Sequence, residues 1–308
     1  MDGLFQPKAP SSSPWAHSFT DPDAGPVTLT GLLSEVPGAE RLVVIVHGLG
    51  GSCRSPYAVR AAAAVEAAGW SSLRLNLRGA DGEGADFYHA GLTADLKETF
   101  ASPEVQRFAK VSVLGYSLGG HLALRFASDS PPPRLLSVAA VCAPLDLDRC
   151  AASIDRPALW GYRLYLLSGL KQIYASVARR RAVPLPSSEA RKIRTIRRWD
   201  DLIVAPRHHF ESAEDYYRKE SAGPKLAGLK VPALLIAAEA DPMVPAQSLR
   251  PFVEPPPPLL EVRWVRRGGH VGFPRSLDLD LGGLPGLEHQ AVGWIARAPG
   301  RRRPCPEE

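Results

Sequence analysis

The sequence predicts an α/β protein in which helices cover both faces of a mostly parallel sheet. From residue 26 onward, short runs rich in β-branched residues alternate with longer segments of helical pattern, which is typical of strand–helix–strand units. Several runs are continuously apolar, as expected of strands that are buried on both faces. The predicted strands cover residues 42–46, 72–77, 111–114, 136–141, 233–237 and 260–265.

The helix between the first two strands has clear start and stop signals. Ser55 can cap its N-terminus, Pro56 suits the first turn, and Gly69 comes just past an Ala/Val-rich body. The order strand, helix, strand supports parallel pairing in this part of the chain.

The alternation breaks between residues 146 and 225, where no strand is predicted and Trp, Tyr, Leu and Arg dominate. We interpret this segment as an inserted helical lid. Nine Lys or Arg residues lie between Lys171 and Arg198, against one acid, Glu189. This pattern favours a solvated face, and the alternative is an anion-binding surface for phosphate head groups or an acyl carrier.

The 308 residues therefore divide into five predicted segments. The core is expected in two parts, 26–145 and 226–298, with the helical lid, 146–225, between them. An N-terminal arm, 1–25, precedes the core, and a disordered tail, 299–308, follows it.

Composition and charge narrow the class of protein. With 45% hydrophobic and 22% charged residues the chain is typical of a soluble globular protein, and a net charge of +5 does not indicate nucleic-acid binding. The sequence contains no run of transmembrane length, and residues 1–25 lack the pattern of a signal peptide. The four cysteines lie far apart, which predicts free thiols and a cytoplasmic location.

The sharpest chemical signal is a G-x-S-x-G pattern, residues 115–119, directly after a predicted strand and before an apolar helix. Such an elbow presents its serine on a tight strand-to-helix turn that needs the two glycines. We predict that Ser117 is a nucleophile, and the alternative is a purely structural turn.

A serine hydroxyl needs a base to act near neutral pH. His270 is the candidate, because it lies in a glycine-rich loop after the last predicted strand. Asp241, after the strand 233–237, is the predicted acid that orients it, which gives the chain order Ser, Asp, His. Asp146 and Asp148, after the preceding strand, are the rival acids.

The intermediate of acyl transfer also needs two backbone N–H donors for its oxyanion. We predict that Leu118, the residue after the nucleophile, provides one and Leu49 the other. Leu49 lies in a glycine-rich loop, residues 47–51, at the end of the first predicted strand. The alternative, a phosphate-binding turn, lacks the usual glycine spacing and the G-K-[ST] ending.

No metal or organic cofactor is predicted. His208 and His209 are adjacent, but no third ligand is near them in the sequence.

Motifs spread over most of the chain resemble the α/β-hydrolase superfamily, and within it the YheT-like branch of bacterial hydrolases, yeast medium-chain acyl esterase/acyltransferases and mammalian lipases. In this resemblance Ser117, Asp241 and His270 match the triad positions. The sequence departs from the family pattern at two places. Residues 1–25 match the family's aromatic N-terminal segment poorly, and His209 stands where a glycine usually precedes the phenylalanine at position 210. The motifs are residues 47–52, 55–57, 76–79, 88–91, 115–120, 199–201, 205–206, 210, 216–217 and 268–273.

Arg78 and His89 belong to these motifs. We interpret both as buried hydrogen-bonding anchors, and the alternative is contact with the substrate.

We therefore expect a serine hydrolase that cleaves small-molecule carboxylic esters, with short- to medium-chain acyl groups, through an acyl-enzyme on Ser117. The alternatives are an acyltransferase with the same triad and an alcohol acceptor, or a catalytically silent binding protein of this fold.

Peripheral contact with lipid is compatible with the basic lid. Part of an apolar stripe in the lid is expected to line an acyl pocket, unless it only packs the lid onto the core. The stripe comprises Leu159, Trp160, Tyr162, Leu164, Tyr165 and Leu166.

Overall fold

An eight-stranded sheet forms the centre of the protein in a computed structural model, which describes residues 9–83 and 86–298. The strand order is β1-β2-β4-β3-β5-β6-β7-β8, and β3 to β8 run parallel. All six predicted strands are present, so the predicted fold class is confirmed. The strands are β1 (Ser13–Asp21), β2 (Gly25–Ser34), β3 (Arg41–Val46), β4 (Ser71–Asn76), β5 (Lys110–Tyr116), β6 (Leu135–Val141), β7 (Ala233–Ala238) and β8 (Leu260–Val265).

Helices cover both faces of the sheet. In β3, Val44 and Val46 pack into one hydrophobic core, whereas Val43 and Ile45 pack into a second core on the other face. The helices are α1 (Pro56–Ala67), α2 (Ala94–Ala101), α3 (Pro103–Gln106), α4 (Leu118–Ser128), α5 (Leu147–Ile154), α6 (Trp160–Ala178), α7 (Ser187–Ala190), α8 (Ile196–Trp199), α9 (Ala205–Arg207), α10 (Ala213–Glu220), α11 (Ala246–Val253) and α12 (Leu287–Arg297).

Two strands that were not predicted from the sequence lie at the N-terminal end of the described chain. Residues 13–21 form β1, which pairs antiparallel with β2, and β2 in turn pairs antiparallel with β4. Trp15, His17 and Phe19 alternate with exposed residues along β1, and their rings stack in sequence. This period of two is a strand signal. The prediction missed it because Pro and Ser surround it. Residues 1–8 and the predicted tail, 299–308, lie outside the described residues.

The predicted lid segment contains no strand within the described residues. Between β6 and β7 the chain forms helices α5 to α10, a π-helical turn at Asp200–Val204 and two 3₁₀ turns. Several of its basic side chains form ion pairs, Arg180 with Glu83 and Arg197 with Asp148 among them. The division into five segments stays a prediction. No helix in the part of the chain that the structure describes is long and apolar enough to span a membrane.

Arg78 joins the N-terminal hairpin to the parallel sheet through a buried ion cluster. Its guanidinium lies 2.8 Å from Asp21 at the end of β1 and 2.6 Å from Asp95 in α2. All three side chains are less than a tenth exposed. Arg78 is therefore a structural anchor, as the sequence analysis expected.

We predict that Arg78→Met lowers the free energy of unfolding by about 3–5 kcal/mol, because it leaves two buried carboxylates without their cation. Arg107→Met is the matched control. Arg107 pairs with Glu35 at the same 2.8 Å, but both side chains are about half exposed, so its loss should cost less than about 1 kcal/mol. Urea unfolding followed by circular dichroism measures both changes. Equal effects of the two substitutions would contradict the assignment of Arg78.

Candidate active site

Ser117 lies on a tight turn between the end of β5 and the start of α4. Its backbone is in the left-handed region, with φ of 51° and ψ of −119°, which is uncommon for a residue with a side chain. A Cβ on Gly115 would lie 2.3 Å from the carbonyl oxygen of Gly119, and a Cβ on Gly119 would lie 2.3 Å from that of Val46. Only glycine fits at either position, so the turn depends on both.

His270 approaches Ser117 from the loop after β8. Backbone hydrogen bonds between Gly269 and Gly272 close a narrow turn around it. The imidazole Nε2 lies 2.9 Å from Ser117 Oγ, and Nδ1 lies 2.8 Å from Asp241 Oδ2. Because a carboxylate oxygen only accepts, Nδ1 carries the proton and Nε2 presents a lone pair to the serine hydroxyl. The structure thus brings together the three predicted residues.

Asp241 is fixed independently of the histidine. Its Oδ1 accepts hydrogen bonds from the backbone N–H groups of Met243 and Val244, at 2.9 and 3.0 Å. The residue is 5% exposed. These two bonds leave Oδ2 to accept the proton of His270 Nδ1.

The rival acids are engaged elsewhere. Asp146 caps α5, where its side chain accepts a hydrogen bond from the N–H of Arg149. Asp148 forms an ion pair with Arg197. In the described part of the chain, neither carboxylate contacts His270.

In the loop after β3, residues 47–51, one backbone N–H group has no hydrogen-bond acceptor within the described chain. It lies beside the turn that carries Ser117. The N–H groups of Gly48 and Gly50 donate to the hydroxyls of Tyr57 and Tyr88, at 3.0 and 2.7 Å, and the N–H of Gly51 donates to the Gly48 carbonyl. Within residues 9–83 and 86–298, neither this loop's Leu49 N–H nor the Leu118 N–H at the start of α4 has an acceptor. Both residues line the cavity that contains Ser117.

His47 holds this loop on the sheet. Its Nδ1 donates to the carbonyl of Gly48, and its Nε2 accepts from the N–H of Leu77. Burial lowers the pKa of His47 to about 4, so the ring is neutral, as this pattern of one donor and one acceptor requires. From the sequence, no role is predicted for His47, Tyr57 or Tyr88. Their only signal was their place in the family motifs.

An apolar cavity of about 100 Å³ lies beside Ser117 and His270. Helix α6 contributes Leu166, Leu170 and Ile173 to its wall. Of the six stripe residues in the lid, only Leu166 lines the cavity. Trp160, Tyr162, Leu164 and Tyr165 are instead exposed. A helix presents different faces to the core and to solvent, and the stripe's spacing alone did not show which face is inside.

Two polar side chains interrupt the apolar wall. His89 lines the cavity, and its Nδ1 accepts from the N–H of Gly91, which leaves the proton on Nε2. The hydrogen bond fits the expected role as an anchor, and the place in the cavity wall fits the alternative of contact with the substrate. Asp200 also lines the cavity and accepts a hydrogen bond of 2.6 Å from Tyr217. Burial raises the pKa of Asp200 to about 7.

Cys142, directly after β6, lies behind the candidate site. Its Sγ, a carboxylate oxygen of Asp241 and a ring nitrogen of His270 all lie within 4.8 Å of one another. Burial raises the pKa of the Cys142 thiol, and the neighbouring Asp241 carboxylate raises it further. The group is therefore a neutral thiol.

Comparison with known proteins places this arrangement in a family. The family model described as the alpha/beta hydrolase fold matches residues 41–274. The chain belongs to the α/β-hydrolase family, and the predicted hydrolase class is confirmed. Among curated proteins, it is 35% identical over 243 residues to the putative esterase YheT of Escherichia coli, a match that covers 75% of this chain and 70% of that protein. The resemblance to the YheT-like branch is thereby confirmed.

More distant relatives extend the comparison. The chain is 26% identical over 252 residues to a monoacylglycerol lipase of Saccharomyces cerevisiae, which covers 76% of this chain and 55% of the lipase. The chain thus spans little more than half the length of this yeast relative. Among solved structures, an esterase of Pyrococcus furiosus has a TM-score of 0.55 at 18% identity, over 84% of this chain and 85% of that one. At that identity the likeness concerns the fold alone.

Proposed function

We propose that this protein is a serine hydrolase that cleaves carboxylic esters through an acyl-enzyme on Ser117. The observation that carries the proposal is the unbroken hydrogen-bond chain from Asp241 through His270 to Ser117, beside two backbone N–H groups with no acceptor in the described chain. The names of the relatives, an esterase and a lipase, support esters as the substrate class.

In the first half of the reaction, Ser117 Oγ attacks the ester carbonyl carbon while His270 Nε2 takes the hydroxyl proton. The carbonyl oxygen becomes an oxyanion, which accepts hydrogen bonds from the N–H groups of Leu49 and Leu118. When the intermediate collapses, the bond to the alcohol oxygen breaks, and His270 gives its proton to the leaving alkoxide. The acyl group remains on Ser117.

In the second half, water replaces the alcohol. His270 Nε2 takes a proton from water as the water oxygen attacks the acyl carbon. When this second tetrahedral intermediate collapses, the acid product leaves and His270 returns the proton to Ser117 Oγ. Asp241 stabilises the imidazolium in both halves through the Nδ1–H hydrogen bond. The other carboxylate oxygen of Asp241 accepts hydrogen bonds from two backbone amides. Asp241 therefore keeps the imidazole in one orientation throughout the reaction.

The wall of the cavity supports a short- to medium-chain acyl group. Leu166, Leu170 and Ile173 lie in the same cavity as the serine, and an acyl chain there would be removed from water. The acyltransferase alternative needs the same residues and differs only in an alcohol that replaces water.

We predict that a fluorophosphonate probe labels the protein at Ser117. Ser117→Ala should abolish the labelling and lower the turnover of a short-chain ester by a factor on the order of 10⁶. Ser130→Ala, at an exposed serine, is the control and should change neither. Gel fluorescence and a spectrophotometric ester assay give the two readouts. Labelling that persists in Ser117→Ala would rule out this nucleophile.

We predict that Asp241→Asn lowers kcat by a factor on the order of 10⁴ with folding intact, because the amide no longer holds His270 in the productive tautomer. Asp146→Asn is the matched control. Because asparagine caps a helix about as well as aspartate, this change should cost less than about 1 kcal/mol of stability and little turnover. Steady-state kinetics and thermal melts separate the two effects. If Asp146→Asn were the more damaging to kcat, the acid would be Asp146.

We predict that kcat/KM rises from acetyl esters to acyl groups of roughly six to ten carbons, by at most about fourfold for each added methylene, because each is buried in the apolar cavity. Leu170→Phe should narrow the cavity and shift the optimum to shorter chains. Leu164→Phe, on the exposed side of the same helix, should not. A series of p-nitrophenyl esters measures the profile.

A steady fall from acetyl onward would contradict an acyl site in this cavity. Accumulation of new esters when an alcohol is supplied would move the assignment to the acyltransferase.

A further inference from the structure

Exposed apolar side chains concentrate at the start of helix α6. Six large hydrophobic side chains are exposed in the described residues, and four of them lie within the first six residues of this helix. Trp160 is 62% exposed and Tyr165 68%. Tyr162 and Leu164 are about half exposed, and we name these four residues the α6 patch. Such a concentration marks an interaction surface.

Part of the α6 patch lies on the opposite side of the helix from the cavity. Leu166, Leu170 and Ile173 line the cavity, whereas Trp160 and Leu164, one turn apart, face outward. The first half of α6 is therefore apolar on both sides. A surface helix with one side in the core normally has polar residues on the other, so the outer side has the composition of a covered face.

Basic side chains border the α6 patch. Lys171 and Arg191 line one groove together with Leu164, and Arg54 lines another together with Tyr165. Arg54, Arg191 and the nearby Arg194 are exposed, and no carboxylate pairs with them among residues 9–83 and 86–298.

The acids nearby are already engaged. Glu189 pairs with Lys192. Asp81, the carboxylate that lines the second groove, accepts hydrogen bonds from the Thr30 hydroxyl and the N–H of Glu83. The border of the α6 patch is therefore net positive.

We propose that the α6 patch and its basic border form a docking surface for an anionic lipid bilayer. Trp and Tyr rings suit the boundary between acyl chains and head groups, and arginine and lysine suit the lipid phosphates. A second copy docked through the same face would bring like charges together, because the basic side chains of the border outnumber the carboxylates of Asp81 and Glu189. Charge complementarity thus favours an anionic surface over self-association.

This surface gives the cavity a source of substrate. Because α6 separates the bilayer surface from the acyl cavity, a docked molecule would hold Ser117 one helix away from the lipid. That consequence rests on the proposed function, whereas binding to the bilayer does not.

The test is flotation of the full chain with vesicles, carried out on the Ser117→Ala protein so that no ester lipid is consumed. Vesicles of equal parts phosphatidylglycerol and phosphatidylcholine should bind the protein, and phosphatidylcholine alone should bind it less. The double substitution Trp160→Ala with Tyr165→Ala should reduce binding by about tenfold or more. Arg191→Gln with Arg194→Gln should reduce binding to the anionic vesicles by about fivefold for each charge, an effect that high salt mimics.

The matched control is Leu284→Ala. Leu284 is 66% exposed, lies before α12 and lines neither of the two grooves beside the patch, so its loss should leave binding unchanged. Thermal melts of each variant verify folding. The same substitutions are also made in protein that retains Ser117. There, the Trp160/Tyr165, Arg191/Arg194 and Leu284 variants should all still hydrolyse a soluble acetyl ester.

Several outcomes would overturn the docking surface: no flotation with anionic vesicles, equal flotation of the Trp160/Tyr165 variant, or a dimer in sedimentation equilibrium that this variant abolishes in the absence of lipid binding. Loss of the nucleophile assignment would appear only in the labelling and turnover of Ser117→Ala. The two proposals therefore fail in separate measurements.

Discussion

The site depends on a backbone contact that only glycine permits between the ends of two neighbouring parallel strands. β3 and β5 are paired side by side, so the segments that follow them emerge at the same edge of the sheet. A Cβ on Gly119 would meet the carbonyl of Val46, and one on Gly48 would lie 3.1 Å from the Cβ of Ser117. This close approach puts the amide of Leu49 and that of Leu118 beside one hydroxyl.

Around that contact, two buried polar side chains have their hydrogen-bond partners in place. His47 donates and accepts one hydrogen bond each, and Asp241 accepts from two backbone amides and from His270. Burial makes an unpaired polar group costly and a paired one rigid. The histidine that meets the serine is therefore held by a carboxylate that is itself fixed, and this restricts the imidazole to one orientation before a substrate arrives.

The helical segment between β6 and β7 connects this chemistry to the surface. Its α6 has one side in the cavity and the other in solvent, and the first half of this helix is apolar on both sides. Polar groups enter the cavity at only a few points, among them His89 and Asp200. The same helical segment thus determines both the volume of the cavity beside Ser117 and the kind of surface that the protein presents above it.

The sequence by itself determined the elements whose signals are local. Six strands followed from short apolar runs, and Ser117, His270 and the free amides followed from motifs at strand ends. Strand β1 was not predicted from the sequence, because Pro and Ser residues obscure the alternation of Trp15, His17 and Phe19.

Only the tertiary structure shows which of Asp241 and Asp146 contacts His270. Both follow a strand, and what separates them is a contact with His270 across 29 residues in one case and the capping of α5 in the other. It also decided which side of α6 lines the cavity. The spacing of apolar residues indicates a helix, but when both of its sides are apolar the pattern carries no direction, and only packing against the rest of the chain supplies one.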